Sequence, residues 1–215
     1  MAARPDVLST AAIAEELVRA YRFFNADLFG NALRAAVTIT VQTSGRRRAR
    51  LGWHSHSRWK IGTGRRLIAE VNVVAESLSR GVEDVMETLL HEMAHHYNHE
   101  RKIKDTTRSG VYHNKRYKAA AELAGLICTR TPEHGWSSTS LGPRAKDAIR
   151  RLQPKRDVFS MTRLPYAPGL AGESRTKLVK WVCGCGYGVR VAIADFDARC
   201  NVCGKKFSRD EGAQS

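Results

Sequence analysis

The segment VMETLLHEMAHHY, residues 85–97, decides the fold of the N-terminal half of the chain. Its apolar side chains recur at three- and four-residue spacing, which predicts an amphipathic helix from about residue 82 to residue 98. Gly81 precedes this helix, and acidic side chains crowd its first turns, where the helix dipole favours carboxylates. The apolar face is formed by Val82, Val85, Leu89, Met93 and Tyr97. We therefore expect the helix to pack on the core along this face.

The same helix carries a pattern that is typical of zinc hydrolases. His91 and His95 are four residues apart, so a helix directs both imidazoles toward one metal ion. Glu92 lies about 100° around the helix from His91, beside the metal without binding it. Zinc makes a water molecule acidic near neutral pH, and a carboxylate can take its proton as the water attacks a carbonyl. The pattern predicts a catalytic zinc with Glu92 as general base; the alternative is a histidine-rich surface helix.

A catalytic zinc usually has three protein ligands, so a third ligand must come from outside this helix. One frequent spacing would place a histidine at position 101, but the residue there is Arg101. A carboxylate from a downstream helix would have to be Glu122, and the better candidate is His113, at the start of the next predicted helix. His96 and His99 project from the other side of the active helix, so we expect them at the surface or behind the ligands.

The flanking sequence predicts further helices and a small sheet. Residues 9–29 and 114–124 have helical periodicity, and residues 37–41, 50–53 and 67–74 are extended pieces bounded by turn residues. No helix lies between the three strands to form a crossover, so the sequence predicts that they are antiparallel.

The C-terminal third of the chain has a different texture. From residue 132 onward, Gly, Ser, Pro and basic residues predict a linker or a loosely packed arm. Four cysteines then lie close together: Cys183, Cys185, Cys200 and Cys203. Four thiolates at this spacing can hold a structural zinc in a zinc ribbon, and a unit this small could scarcely fold without metal. A redox dithiol is the alternative, but it does not explain all four cysteines.

The charge of the chain indicates a polyanionic partner. The formal net charge is +15 and the pI is about 10.1. Because the basic residues are clustered, nucleic acid is favoured over a merely solubilising surface. Aromatic side chains such as Trp181 either stack on bases or form the small core of the ribbon. The predicted DNA-contacting residues are Arg46, Arg47, Arg48, Arg50, Lys177, Lys180, Arg190, Arg199, Lys205 and Lys206.

The composition also argues against a membrane or secreted protein. No stretch approaches the roughly 18 apolar residues that span a bilayer, and the N-terminus lacks the pattern of a secretory signal. Clustered cysteines in a reducing compartment bind metal more often than they form disulfides. We therefore expect a cytoplasmic, DNA-associated protein.

Several of these stretches together resemble the SprT-like family. The resemblance rests on HEMAH at residues 91–95, on GVYHNKRY at residues 110–117 and on FNADLFG at residues 24–30. It covers most of residues 9–140, and the C-terminal cysteines are similar to the zinc ribbon of bacterial members. One difference is Tyr117, where the family commonly has Phe.

The resemblance implies a fold and an activity. His91, His95 and His113 would bind the catalytic zinc, and Glu92 would act as general base and acid. The fold would be similar to small zincins with a short antiparallel sheet. The activity would be proteolysis of proteins crosslinked to DNA, stimulated by single-stranded or junction DNA.

The sequence thus predicts an α+β protein in three parts. A small zincin-like metallopeptidase domain with three main helices and a short antiparallel sheet spans residues 9–140. A basic linker spans residues 141–178, and a small β zinc ribbon spans residues 179–209. One catalytic and one structural zinc are the expected cofactors. The leading hypothesis is a DNA-recruited zinc peptidase; the alternatives are a DNA-binding accessory protein with a non-catalytic zincin domain and a metallohydrolase with another class of substrate.

Overall fold

The structure is a computed structural model that describes residues 9–44, 50–164, 178–193 and 195–210. The chain divides into two compact units at the junction of Tyr166 and Ala167. Helices and two sheets form the N-terminal unit, and one small sheet forms the C-terminal unit. The fold is therefore mixed α+β, which confirms the predicted class.

Four α-helices lie in the described part of the N-terminal unit. They are α1 (Ala11–Asp27), α2 (Val82–Glu100), α3 (Lys115–Leu123) and α4 (Pro143–Leu152). The sequence predicts the first three, because each buries a periodic set of apolar residues. Asn114 caps α3, since its side-chain oxygen accepts hydrogen bonds from the backbone N–H groups of Arg116 and Tyr117.

The first sheet is mixed rather than antiparallel. It consists of β1 (Val37–Gln42), β2 (Gly52–Lys60) and β3 (Leu67–Val74), in the order β1–β3–β2. β2 and β3 are antiparallel as predicted, but β1 and β3 are parallel, so the prediction is wrong for that pair. The physical reason is that β2 itself returns the chain. After β1, the chain runs back as β2 along the opposite edge of the sheet. β3 then lies between β1 and β2 and runs in the same direction as β1, so no helical crossover is needed.

A second sheet, which the sequence did not predict, supports the entry to α3. Its strands are β4 (Thr106–Thr107), β5 (Tyr112–His113), β6 (Leu126–Thr131) and β7 (Gly135–Leu141), in the order β4–β5–β7–β6. β5 is parallel to β7, where His113 is opposite Gly135. Gly135 has a φ of 66° and a side chain there would collide with the His113 carbonyl, so the glycine permits this close approach. The backbone of His113 is thus held on both sides.

The core of the N-terminal unit forms around α2. This helix packs against β2, β3 and α3, and it buries apolar residues on more than one face, among them Val85, Leu89 and Met93. α1 covers the core with Leu17 and Phe24, which are both fully buried. α2 is therefore more enclosed than the single apolar stripe predicts.

The predicted linker of residues 141–178 begins with packed structure. α4 buries Ala145, Ala148, Ile149 and Leu152 in the same core as α1 and α2, and a 3₁₀ turn at Arg156–Ser160 follows it. The prediction of a loosely packed arm is wrong for these residues. α4 is an amphipathic helix: its basic side chains lie on the outer face, and the small and apolar residues between them face inward. The basic residues therefore resemble those of a loose arm in the sequence, although the segment is packed.

The C-terminal unit is a small three-stranded antiparallel sheet. Its strands are β8 (Val179–Val182), β9 (Gly188–Val191) and β10 (Ser208–Arg209), in the order β10–β8–β9. The rings of Trp181, Phe196 and Phe207 form its apolar centre, with successive centroids 5.8 and 5.9 Å apart. Trp181 therefore belongs to the core of this unit.

Gly52 allows β2 to lie directly against α2, and this contact can be tested. A Cβ at position 52 would lie 2.7 Å from the carbonyl oxygen of Asn72 and 2.9 Å from the methyl group of Thr88. We expect Gly52→Ala to lower the free energy of unfolding by about 1–3 kcal/mol, measured by chemical denaturation. Gly64→Ala is the matched control, because its nearest neighbouring atoms are 3.8 Å away. Equal stabilities of the two variants would contradict this packing.

Candidate metal centre

α2 and β5 bring three histidines together. His91 and His95 lie one turn apart on α2, and His113 approaches them from the start of α3. Their ligand atoms all lie within 4.8 Å of one another, and the Nε2 atoms of His95 and His113 are 3.0 Å apart. The structure thus places the three predicted ligands in one cluster. Glu122 is on the exposed face of α3, where it pairs with Lys118 at 3.3 Å, and it is not part of this cluster.

The chemistry of this donor set fits a zinc ion. Imidazole nitrogen suits zinc, and three protein ligands leave one position for water or substrate. Burial lowers the pKa of His91 well below its ordinary value and lowers the pKa of His113 to about 4, with neighbouring histidines acting in the same direction. Both rings are therefore neutral at physiological pH, which is the state in which imidazole binds metal.

Two of the three rings are held from behind by hydrogen-bonding groups. The Nδ1 atom of His95 lies 2.7 Å from a carboxylate oxygen of Asp105. The Nδ1 atom of His91 lies 3.5 Å from the hydroxyl of Thr139, which donates a 2.8 Å hydrogen bond to Glu87. In both cases Nδ1 faces the protein, so Nε2 is left for a metal. Such partners fix the ring orientation and the tautomer of metal ligands.

The electrostatics of Asp105 agree with this role. Burial alone raises the pKa of its carboxyl, but hydrogen bonds from His95 and from Asn98, whose amide lies 3.3 Å away, outweigh burial and lower it overall. Asp105 is therefore ionised near neutral pH and accepts a hydrogen bond from the Nδ1–H of His95. Asp105, Thr139 and Glu87 are not predictable from the sequence as partners of the histidines, because no local spacing rule connects them.

Tyr117 forms the floor of the cluster. Its ring centroid is 4.5 Å from those of His95 and His113 and 4.8 Å from that of His91. The residue is fully buried, and its hydroxyl has no hydrogen-bond partner among the described residues. Tyr117 therefore acts through packing, as Phe would.

Glu92 lies next to the histidines in an enclosed position. The residue is 6% exposed, and burial raises the pKa of its carboxyl to about 7. The opposing influences are the charges of His95 and Arg50 and the backbone N–H of His54 in β2. A carboxyl with a pKa near neutrality can both accept and return a proton under working conditions, which suits a general base that later acts as an acid.

A second group of potential metal ligands lies in the C-terminal unit. The ligand atoms of Cys183, Cys185, Cys200 and Cys203 lie within 4.8 Å of one another. Two turns hold them, since the backbone N–H of Cys183 donates to Tyr187 and that of Cys200 donates to Lys205, each at 2.9 Å. The backbone N–H groups of Cys203 and Val202 lower the pKa of the Cys200 thiol to about 6, which favours the thiolate that metals bind. Four such ligands fit a structural zinc.

The predicted DNA-contacting residues are divided between the two units and the part of the chain outside the described residues. Arg46, Arg47, Arg48 and Lys177 lie outside the described residues. Arg50 is exposed in the N-terminal unit. The remaining five lie in the C-terminal unit, where Lys180 pairs with Asp210 at 2.6 Å and Lys206 pairs with Asp197 at 2.9 Å. Contact of these residues with DNA stays a prediction.

Two tryptophans of β2 share a buried hydrogen-bond acceptor. The indole N–H groups of Trp53 and Trp59 donate hydrogen bonds of 2.9 and 3.0 Å to the carboxylate of Glu70, which is 3% exposed. Their polar edges are therefore directed toward the sheet.

The fold and this cluster define a small α+β protein with a candidate three-histidine metal centre on its central helix. Residues 17–134 match the model of the family described as SprT-like. This match spans more than half of the chain, so the chain belongs to the SprT-like family. The matched region includes His91, Glu92, His95 and His113, and it ends before Thr139 and the four clustered cysteines.

No curated protein and no solved structure matches the chain significantly. Within the described ranges, no helix is both long and apolar enough to cross a membrane.

The support of His95 by Asp105 gives a prediction for metal affinity. We expect Asp105→Asn to weaken zinc binding at the three-histidine cluster by about 10- to 100-fold, because loss of the charge reduces ligand basicity and ring order. Competition with a chromophoric chelator measures this affinity. Asp157→Asn, at an exposed position on the 3₁₀ turn after α4, should bind zinc as the wild type does. An unchanged affinity in Asp105→Asn would show that the carboxylate does not support the ligand.

The two ligand clusters also predict the content of tightly held metal. Protein dialysed without added metal should hold two zinc ions per chain. His113→Ala and Cys200→Ser should each remove one ion, and the double variant should remove both, because each substitution deletes a ligand from a separate site. Elemental analysis measures the content. Two ions that survive His113→Ala would exclude it as a ligand.

Proposed function

We propose that this chain is a zinc-dependent metallopeptidase of SprT type that cleaves proteins bound or crosslinked to DNA. Membership of the SprT-like family supports a metalloprotease-like activity. The observation that carries the proposal is the clustering of His91, His95 and His113 beside a buried Glu92 whose pKa is raised to about 7. A purely structural metal site has no use for such a carboxyl beside its ligands.

In this proposal each residue at the centre has a distinct task. A zinc ion held by the three histidines would supply Lewis acidity, which polarises a carbonyl and makes water acidic near neutral pH. Glu92 takes the proton of the attacking water and passes it to the amine that leaves when the peptide bond breaks. Asp105 and Thr139 keep the imidazoles of His95 and His91 oriented throughout.

The position of β2 supports a polypeptide substrate. β2 is one of the two edge strands of the first sheet, in the order β1–β3–β2, and it packs against α2. An edge strand offers backbone N–H and C=O groups that can pair with an extended peptide. A peptide added along β2 would therefore lie beside the helix that carries Glu92.

The charge of the chain supports DNA as the second partner. A net charge of +15 favours binding to a polyanion. Binding to DNA would raise the local concentration of the peptidase beside proteins that are already on the DNA. Arg190, Lys205 and Tyr187 are exposed residues of the C-terminal unit. Positive charge together with an aromatic ring is typical of proteins that bind single-stranded nucleic acid.

Substitution of Glu92 separates catalysis from metal binding. We expect Glu92→Gln to keep its zinc but to cleave a basic test protein at least about 100-fold more slowly in the presence of single-stranded DNA, because the amide cannot accept the proton. Gel assays of cleavage and elemental analysis of the same samples provide the two measurements. Glu122→Gln is the matched control and should retain full activity.

Wild-type activity in Glu92→Gln would overturn the catalytic assignment. The DNA part of the proposal is tested in the same assay, since stimulation by single-stranded DNA should decline steeply as salt increases. Cleavage that neither requires DNA nor responds to salt would point to a metallohydrolase whose substrate is unrelated to DNA. Binding of DNA without any proteolysis would point to an accessory protein.

A further inference from the structure

A second histidine cluster lies on the other side of α2. The chain contains eight histidines, three of which belong to the candidate metal centre. Four others have neighbouring rings and form a four-histidine cluster: His54, His56, His96 and His99. The sequence predicts that His96 and His99 lie at the surface or behind the zinc ligands. In the structure, His96 is 0% exposed and contacts His54 instead.

The spacing of these residues directs their side chains to one place. His54 and His56 alternate with Ser55 on β2, so they share a face of the strand. His96 and His99 are three residues apart on α2, so they share a face of the helix. Because β2 packs against α2, the two pairs meet.

Three of the rings lie about as close together as those of the candidate metal centre, although their ligand atoms do not all come within 4.8 Å of one another as the rings stand. The ring centroids of His54 and His56 are 5.6 Å apart, those of His54 and His99 are 5.4 Å apart, and those of His56 and His99 are 4.3 Å apart. In the three-histidine cluster of the candidate metal centre, the corresponding separations are 5.2, 5.3 and 4.8 Å. The two trios are therefore of similar size.

The fourth histidine supports the cluster from behind. The Nδ1 atom of His96 lies 3.1 Å from Nε2 of His54, and its own Nε2 lies 3.0 Å from a carboxylate oxygen of Glu100. Glu100 is fixed in turn, because it accepts hydrogen bonds from the backbone N–H groups of Arg34 and Ala35. The group directly behind His54 is thus the imidazole of His96, with the carboxylate of Glu100 one step further away, whereas the carboxylate of Asp105 contacts His95 directly. The contact with His96 leaves Nδ1 of His54 as the nitrogen available to a metal.

The remaining rings can complete the site with a small movement. His56 and His99 are stacked with an interplanar angle of 12°, so one ring has to turn before both nitrogens point at one ion. His56 is exposed, so its ring turns without disturbing the core. Burial among other histidines lowers the pKa of His54 to about 2, so its ring is neutral and able to bind metal at physiological pH.

We propose that His54, His56 and His99 form a third site, for a divalent transition metal, with His96 and Glu100 as positioning residues. Three imidazoles select ions such as Zn²⁺ or Ni²⁺ over Mg²⁺ or Ca²⁺, which prefer oxygen ligands. The site is weaker than the candidate metal centre, because its exposed ring must leave the stacked pair. An ion bound there ties the edge strand β2 to the C-terminal half of α2.

Titration with zinc tests this site in the full-length chain. Protein that has been dialysed to its tightly held metal is titrated with Zn²⁺ in a calorimeter. We expect the wild type to take up one additional ion per chain, and we expect the His56→Ala/His99→Ala double variant to lose this uptake. His134→Ala is the matched control, because His134 is the one histidine outside both clusters and its side chain is exposed. It should bind the additional ion as the wild type does.

Two further measurements make the result decisive. The double variant should keep its far-ultraviolet circular dichroism and its tightly held zinc, because neither substitution removes a core contact. Glu100→Gln should keep the stoichiometry of one additional ion but bind it about tenfold more weakly. Equal uptake by the wild type, the double variant and His134→Ala would overturn the proposal, as would a wild type that binds no additional ion. None of these readouts depends on peptidase activity.

Discussion

Burial of α2 is the constraint on which the rest of the structure depends. This helix carries polar and ionisable side chains into the interior, among them Glu92, Asn98 and His96, whose transfer from water is unfavourable unless partners compensate. The partners come from several of the elements that surround the helix. β2 supplies His54, the loop after α2 supplies Asp105, and β7 supplies Thr139. The sheets and α3 thus enclose the helix and also satisfy its polar groups.

The parts of the fold that were predictable are those with strong local patterns. Helical periodicity identified α1, α2 and α3 because each buries a regular set of apolar residues, and the spacing of His91 and His95 identified the centre. No local spacing rule identifies His113 as the third ligand; its prediction rests on its position before α3 and on the family resemblance. The four cysteines were identifiable because their ligand type is rare and their spacing is short.

The remaining features depend on contacts between residues that are distant in the sequence. The parallel pairing of β1 and β3 depends on which strand occupies the edge, and no periodicity records that choice. The second sheet contains strands of only two residues, which are too short to leave a pattern. Thr139 approaches His91 across 48 positions of the sequence. α4 was missed because its basic residues were more conspicuous than the four small or apolar side chains that it buries.

The three-histidine cluster and the four-cysteine cluster differ in what surrounds them, and loss of metal would therefore affect the two units differently. The three histidines lie beside an extensive apolar core that includes Leu17, Phe24 and Leu89, so the N-terminal unit has enough buried surface to stay folded without an ion. The C-terminal unit has three aromatic rings and four thiols at its centre, and a metal would have to contribute much of its folding free energy. A chelator would thus leave one unit intact but inactive and would unfold the other. The supply of metal would then determine the activity of one unit and the folding of the other.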